Sequence, residues 1–170
     1  MDAKHVLLGL GTNLGDRRTN LQQAVLGLGA KVIITAVSPI YETAPWGVLD
    51  QPDFYNICVA AFTNMPPLAL LHFVKNIEAE LGRVPSYHWG PRLIDIDILF
   101  YDDVVLHGEQ LTIPHAGMDD RAIVLLPLAA IAPDWRHPDL GKSVAELATA
   151  VDSTNVKELA DPLFESFPKA

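Results

Sequence analysis

The densest chemistry in the chain lies in Trp89-Gly90-Pro91-Arg92-Leu93-Ile94-Asp95-Ile96-Asp97-Ile98-Leu99-Phe100. With the two-residue period of a strand, Ile94, Ile96, Ile98 and Phe100 share one face, while Leu93, Asp95, Asp97 and Leu99 share the other. One face belongs in a core. The other presents two carboxylates rooted about 7 Å apart, which repel each other when ionised and can lean together on shared cations. A few carboxylate oxygens completed by water and phosphate oxygens suit Mg²⁺, and a metal pair roughly 4 Å apart is a recurring device for phosphoryl transfer. A solvated strand face is the other reading of the same pair. Arg92 just upstream, the irregular approach through residues 89–91 and the apolar neighbours favour the metal.

These residues need a frame, and the chain supplies one in order. Val6 to Leu10 reads as a short strand running into Gly11-Thr12-Asn13-Leu14-Gly15-Asp16, after which Leu21, Ala24, Val25 and Leu28 recur at helical spacing. Gly9, Gly11 and Gly15 space as G-x-G-x-x-x-G, not as the dinucleotide fingerprint, and no Walker lysine follows, so a tight turn is expected there. Lys31 to Thr43 is rich in β-branched residues and reads as one long strand. An irregular loop through Pro45-Trp46-Gly47 and Asp50-Gln51-Pro52-Asp53 leads to the next strand, Phe54 to Thr63. Pro66 and Pro67 open a helix where proline is tolerated. Its apolar residues Leu70, Leu71, Phe73, Val74, Ile77 and Leu81 span roughly 160° of arc, and Glu78 lies inside that arc. Such a carboxylate is either at the edge, reaching for water, or held for a purpose. Gly82 is a fitting helix stop.

Strand, helix, strand, strand, helix, strand is the order of a ferredoxin-like βαββαβ sandwich of the α+β class. That predicts an antiparallel sheet with helices on one face, the other face free for function, and an elaborated C-terminal segment. The latter holds a short extended piece at Leu111-Thr112-Ile113-Pro114-His115, a helix from Arg121 to Ile131 interrupted near Pro127, and a small helix from Ser143 to Val151. One domain is expected over 1–170, with its core at about 4–138 and a peripheral tail from 152 to 170.

Composition narrows the function classes. A hydrophobic content of 49% over 170 residues supports a real core. The net charge of −9, without any basic run, argues against a nucleic-acid surface, which needs clustered Lys and Arg. Cys58 is the only cysteine, so an intramolecular disulfide is impossible and a reducing compartment is expected. No signal-peptide layout and no membrane-length apolar run is present, which predicts a cytoplasmic protein that binds no membrane; nucleic acid is not an expected partner, and a monomer is the expectation, though no residue pattern fixes it.

Several motifs, in order, resemble the 6-hydroxymethyl-7,8-dihydropterin pyrophosphokinase family. They are Gly9-Leu-Gly-Thr-Asn-Leu-Gly-Asp16, Tyr41-Glu-Thr-Ala-Pro-Trp-Gly47, Asp50-Gln-Pro-Asp-Phe-Tyr-Asn56, Gly82-Arg83, Trp89 to Leu99, Thr112-Ile-Pro-His115, Pro127-Leu128 and Ile131-Ala-Pro133. The resemblance implies transfer of a pyrophosphoryl group from ATP to a pterin alcohol, with AMP leaving. It implies two Mg²⁺ on Asp95 and Asp97, and catalytic roles for Arg83 and Arg92 beside that pair. For ATP it implies Glu78, Arg83, Trp89, Arg92, Ile98, Thr112, His115 and Arg121. For 6-hydroxymethyl-7,8-dihydropterin it implies Thr43, Ala44, Pro45, Trp46, Phe54, Asn56 and Ile123, with the Asn56 amide reading the ring edge as both donor and acceptor.

The chain departs from the family pattern in two places. Val84-Pro85-Ser86-Tyr87-His88 lacks the further basic residues often found before the tryptophan, and Ile123 stands where some members carry a stacking aromatic. Two other functions fit the residues alone: a D-x-D nucleotidyltransferase, which would release pyrophosphate, and a non-catalytic ferredoxin-like binding module, which would not turn over ATP.

Overall fold

A computed structural model of the chain describes residues 2–45, 47, 49–82 and 91–165. The sheet is organised on β1 (Lys4–Thr12), whose apolar residues alternate with glycine. It pairs antiparallel with β4 (Phe54–Thr63) on one side and with β5 (Asp95–Tyr101) on the other. The ribbon predicted as one strand from Lys31 to Thr43 is instead two strands, β2 (Ile33–Val37) and β3 (Tyr41–Thr43), both paired antiparallel with β4. The five residues from Val37 to Tyr41 oppose only four, from Val59 to Asn56, so one is extra and the ladder breaks at Pro39, which has no N–H to give. Ser38 bridges the gap, donating its N–H to Cys58 O and accepting Cys58 N–H on its hydroxyl. The spatial order β5-β1-β4 followed by β2 and β3 is that of the predicted ferredoxin-like sandwich.

Two helices cover one face. Asp16 caps α1 (Arg17–Leu28) by accepting Thr19 N–H at 3.0 Å, after a left-handed Gly15. The helix buries Leu21, Ala24, Val25 and Leu28. The second helix, α2 (Pro67–Glu80), buries Leu70, Val74 and Ile77 against Val6, Leu8, Leu10, Ile57, Val59, Ile94, Ile96 and Ile98.

The opposite face is not left bare. A two-stranded ribbon, β6 (Leu106–His107) with β7 (Thr112–Ile113), leads to α3 (Ala122–Ile131) and α4 (Val144–Ala150). These helices bury Leu125, Leu128, Val144 and Leu147 against Leu7, Cys58, Ala60, Leu99 and Phe100. Only the part of this face beyond them stays open. The predicted interruption of α3 does not occur: Pro127 lies inside a continuous helix and is buried there.

Two further expectations change. Phe100 does not share a face with Ile94, Ile96 and Ile98. The register slips between Leu7 and Leu8, which pair with Phe100 and Ile98, so Leu99 is an extra residue and Phe100 turns to the second face. Nor is the described part of the predicted tail, 152–165, wholly peripheral. Its strand β8 (Val156–Glu158) pairs with β3 and adds an outer strand to the sheet, Leu163 is buried in the first core, and Arg18 and Gln22 donate to the carbonyls of Pro162 and Leu163.

Candidate active site

Residues paired across antiparallel strands point to the same side, so the ladder places the site residues in rows. In one row Asp95, Gly11, Asn56 and Tyr41 stand side by side on β5, β1, β4 and β3; in the next, Asp97, Gly9 and Cys58. The acids are thus two strands, about 10 Å, from Asn56, and the positions between them are glycine. The result is a trough. It is the floor of a cavity of about 490 Å³ on the open part of the second face.

Gly11 therefore belongs with Gly9 to β1 and not to the predicted turn; of the three glycines, only Gly15 is left-handed. A side chain on Gly11 would put its Cβ 2.6 Å from Asn56 Oδ1, and one on Gly9 would meet Leu99 at 3.4 Å. Sequence reasoning passed over this use of the glycines. The available signal was their i, i+2 spacing inside an apolar strand.

At the acidic end, Arg92 Nη1 lies 3.1 Å from Asp95 Oδ2, and His115 Nε2 lies 3.8 Å from Asp97 Oδ1. His115 is held against β5 by donating its backbone N–H to Leu99 O. Burial pushes the Asp97 carboxyl above its ordinary range, as does the Asp95 charge; His115, Lys75 and Arg92 pull the other way. A carboxyl raised by burial and by a neighbouring negative charge makes a demand for positive charge. Among the described residues no cluster of three or more His, Cys, Asp or Glu could hold a metal. Asp95 and Asp97 face the cavity, and an ion held by two carboxylates completes its shell with water or ligand oxygens, a donor set that fits Mg²⁺.

The cavity also takes in Thr43, Phe54, Asn56, Arg121 and Ile123. Arg121 caps α3, and its guanidinium would lie 3.4 Å from a Cβ on left-handed Gly117. Cys58 lines the floor, its thiol raised by burial and directed at Val124 O, so it is no nucleophile.

Other predicted site residues lie outside this cavity. Ala44 is exposed and Pro45 buried just past Thr43. Thr112 is half-buried on β7. The Ile98 side chain is in the first core, leaving only its backbone at the edge of the sheet. Glu78 is 2% exposed on the α2 side, where it accepts Ile96 N–H at 2.7 Å and Lys75 Nζ at 3.1 Å. Burial raises its carboxyl, opposed by those two donors. Trp46, Arg83 and Trp89, and the 84–88 stretch with His88, fall outside the described residues.

Comparison with known proteins gives a consistent result. Residues 7–133 match the model of the 7,8-dihydro-6-hydroxymethylpterin-pyrophosphokinase (HPPK) family. The chain is 42% identical over 154 residues to the 2-amino-4-hydroxy-6-hydroxymethyldihydropteridine pyrophosphokinase of Methylorubrum extorquens, covering 89% of this chain and 96% of that one. It is 40% identical over 158 residues to the Pseudomonas aeruginosa protein of the same name, covering 92% and 97%. The wild-type HPPK-DHPS crystal structure with pteroate from Plasmodium falciparum superposes with a TM-score of 0.71 at 20% identity, over 87% of this chain and 44% of that one, a likeness of fold.

Proposed function

The chain belongs to the HPPK family, and from that premise we propose that the trough between Asp95, Asp97 and Asn56 is where it works. The reaction is transfer of pyrophosphate from ATP to 6-hydroxymethyl-7,8-dihydropterin in folate biosynthesis. The pterin hydroxymethyl oxygen forms a bond to the β-phosphorus, the bond from that phosphorus to the α,β-bridging oxygen breaks, and AMP leaves. Such a transfer asks little covalent work of the protein and much positioning and charge neutralisation.

The chain's own residues divide that labour. Asn56 offers donor and acceptor to the pterin edge, with Phe54 and Ile123 against the ring and Thr43 beside it. Gly9 and Gly11 leave the space between ring and carboxylates clear for the reacting atoms. Arg92 and Arg121, with Arg83, answer the phosphate charge; His115, Thr112, Trp89 and the Ile98 backbone serve the nucleotide, Glu78 acting behind them by holding Ile96 N–H of β5, and Ala44, Pro45 and Trp46 belong to the pterin side. Asp95 and Asp97 would hold two Mg²⁺, and Arg92 keeps Asp95 oriented toward the cavity. When bound, such ions neutralise phosphate charge and draw the attacking hydroxyl toward phosphorus. The protein acts as a cytoplasmic monomer in one domain.

The observation that carries this reading is the pair of glycines in register between the acids and Asn56. Incubation with ATP, MgCl₂ and the pterin alcohol tests it. Release of AMP with the pterin diphosphate, lost on chelating magnesium, is expected. Release of free pyrophosphate would identify nucleotidyl transfer instead, and no turnover would identify a binding module.

A further inference from the structure

Just past β1 one side chain sends its hydrogen bonds in two directions. Asn13 has no exposed surface. Its Nδ2 donates to Gln51 Oε1 at 2.9 Å and to Pro52 O at 3.0 Å; its Oδ1 accepts Arg92 N–H at 2.8 Å. Its backbone N–H donates to Arg92 O at 3.0 Å. Gln51 and Pro52 lead into β4, which carries Phe54 and Asn56; Arg92 leads into β5, which carries Asp95 and Asp97.

The amide thus has both donors and its acceptor engaged at zero exposure, and stripping a buried polar group of a partner costs far more than the bond contributes on its own. The two segments cannot shift independently without breaking one of these bonds. Among the described residues the adjoining Thr12 and Asn20 bond elsewhere. Thr12 Oγ1 donates to Leu93 O, and Asn20 Nδ2 donates to Thr12 Oγ1 and Leu14 O, so neither reaches the 51–52 segment.

Resting on the assignment of the trough above, we propose that Asn13 is a positioning residue that couples the two substrate sites. Order imposed on the Arg92 segment by a nucleotide passes through the amide to the segment bearing Asn56, and the same coupling runs in reverse, as equilibrium linkage requires. An aspartate at this position separates the two arms of the clip. It still accepts from Arg92 N–H, but it meets Gln51 Oε1 and Pro52 O with acceptors only.

The test is calorimetric titration of the full chain with the pterin alcohol, with and without α,β-methylene-ATP and MgCl₂. In the wild type the nucleotide analogue is expected to tighten pterin binding about tenfold, within the usual span of such couplings. In Asn13→Asp that factor should fall to about twofold or less while each ligand alone still binds. Asn20→Ala, which loosens the same corner without touching the bridge, should keep the full factor. Gln51→Ala removes one acceptor from a half-buried position and should leave a factor of about three, providing the test if Asn13→Asp does not fold. Undiminished coupling in Asn13→Asp or Gln51→Ala, equal loss in Asn20→Ala, or no coupling in a wild type that binds both ligands overturns the inference. A wild type that binds neither ligand overturns the site assignment, and this inference with it.

Discussion

The two faces of the sheet come from the same strands and are finished in opposite ways. Beneath α1 and α2, β1 contributes Val6, Leu8 and Leu10, all packed into one apolar layer. On the other side the same strand contributes Leu7 under α3 and α4, and then Gly9 and Gly11 where the cover stops. The first face uses its alternate residues to fill space. The second uses them to leave it. The carboxylates divide the same way: Glu78, enclosed by the first face, is used on the backbone of β5, while Asp95 and Asp97 face the cavity of the second. Function and stability are therefore separable by face, and substitutions should reveal it.

The largest effect is expected on the open face. Asp97→Asn should lower turnover a hundredfold or more, the scale of removing a preorganised charge from a charged transition state, with Tm unchanged or raised because the repulsion from Asp95 is gone. A large loss of Tm with activity retained per folded molecule would put Asp97 in the fold instead of the reaction. On the packed face Leu70→Ala should give the reverse, about 3 kcal/mol of stability lost in denaturant titration with kcat of the folded fraction unchanged.

Gly11→Ala tests the trough itself. Its Cβ would strike Asn56 Oδ1, so KM for the pterin should rise about tenfold, the cost of roughly one displaced hydrogen bond, with little change in KM for ATP. Equal rises in both would show that the glycine serves the strand and not the ring site.

The smallest effect is expected at Glu78. Burial raises its carboxyl above the ordinary 4.5, so the folded state holds its proton more tightly than the unfolded one. The stability this brings is complete below the unfolded value and is lost as pH rises through the raised folded one. Glu78→Gln keeps a carbonyl for Ile96 N–H and removes the titration. Its Tm relative to wild type should climb with pH across that window, reaching a gain of about 2 °C; a constant difference would deny the shift.

Much of this was readable in the chain because the signals are local. The helical spacing of Leu21, Ala24, Val25 and Leu28, the proline start of α2 and the alternation from Ile94 to Ile98 each follow from one element's own period. The errors fall where a neighbour decides. Pro39 breaks a ribbon whose β-branched content reads as continuous, the slip opposite Leu7 and Leu8 turns Phe100 over, and β8 joins the sheet only because β3 offers it an edge. Glu78 stood out in the sequence for its place on an apolar arc, but its role required the position of Ile96.

The order of elements, the spacing of the two acids and the motifs that mark the family are properties of the sequence, since each depends on residues close together along the chain. The register that sets Gly11 between Asp95 and Asn56, and the turning of Asn13 toward both Arg92 and the Gln51-Pro52 segment, belong to the tertiary structure. Those relations join residues tens of positions apart, and only the pairing of β1 with both of its neighbours brings them within reach.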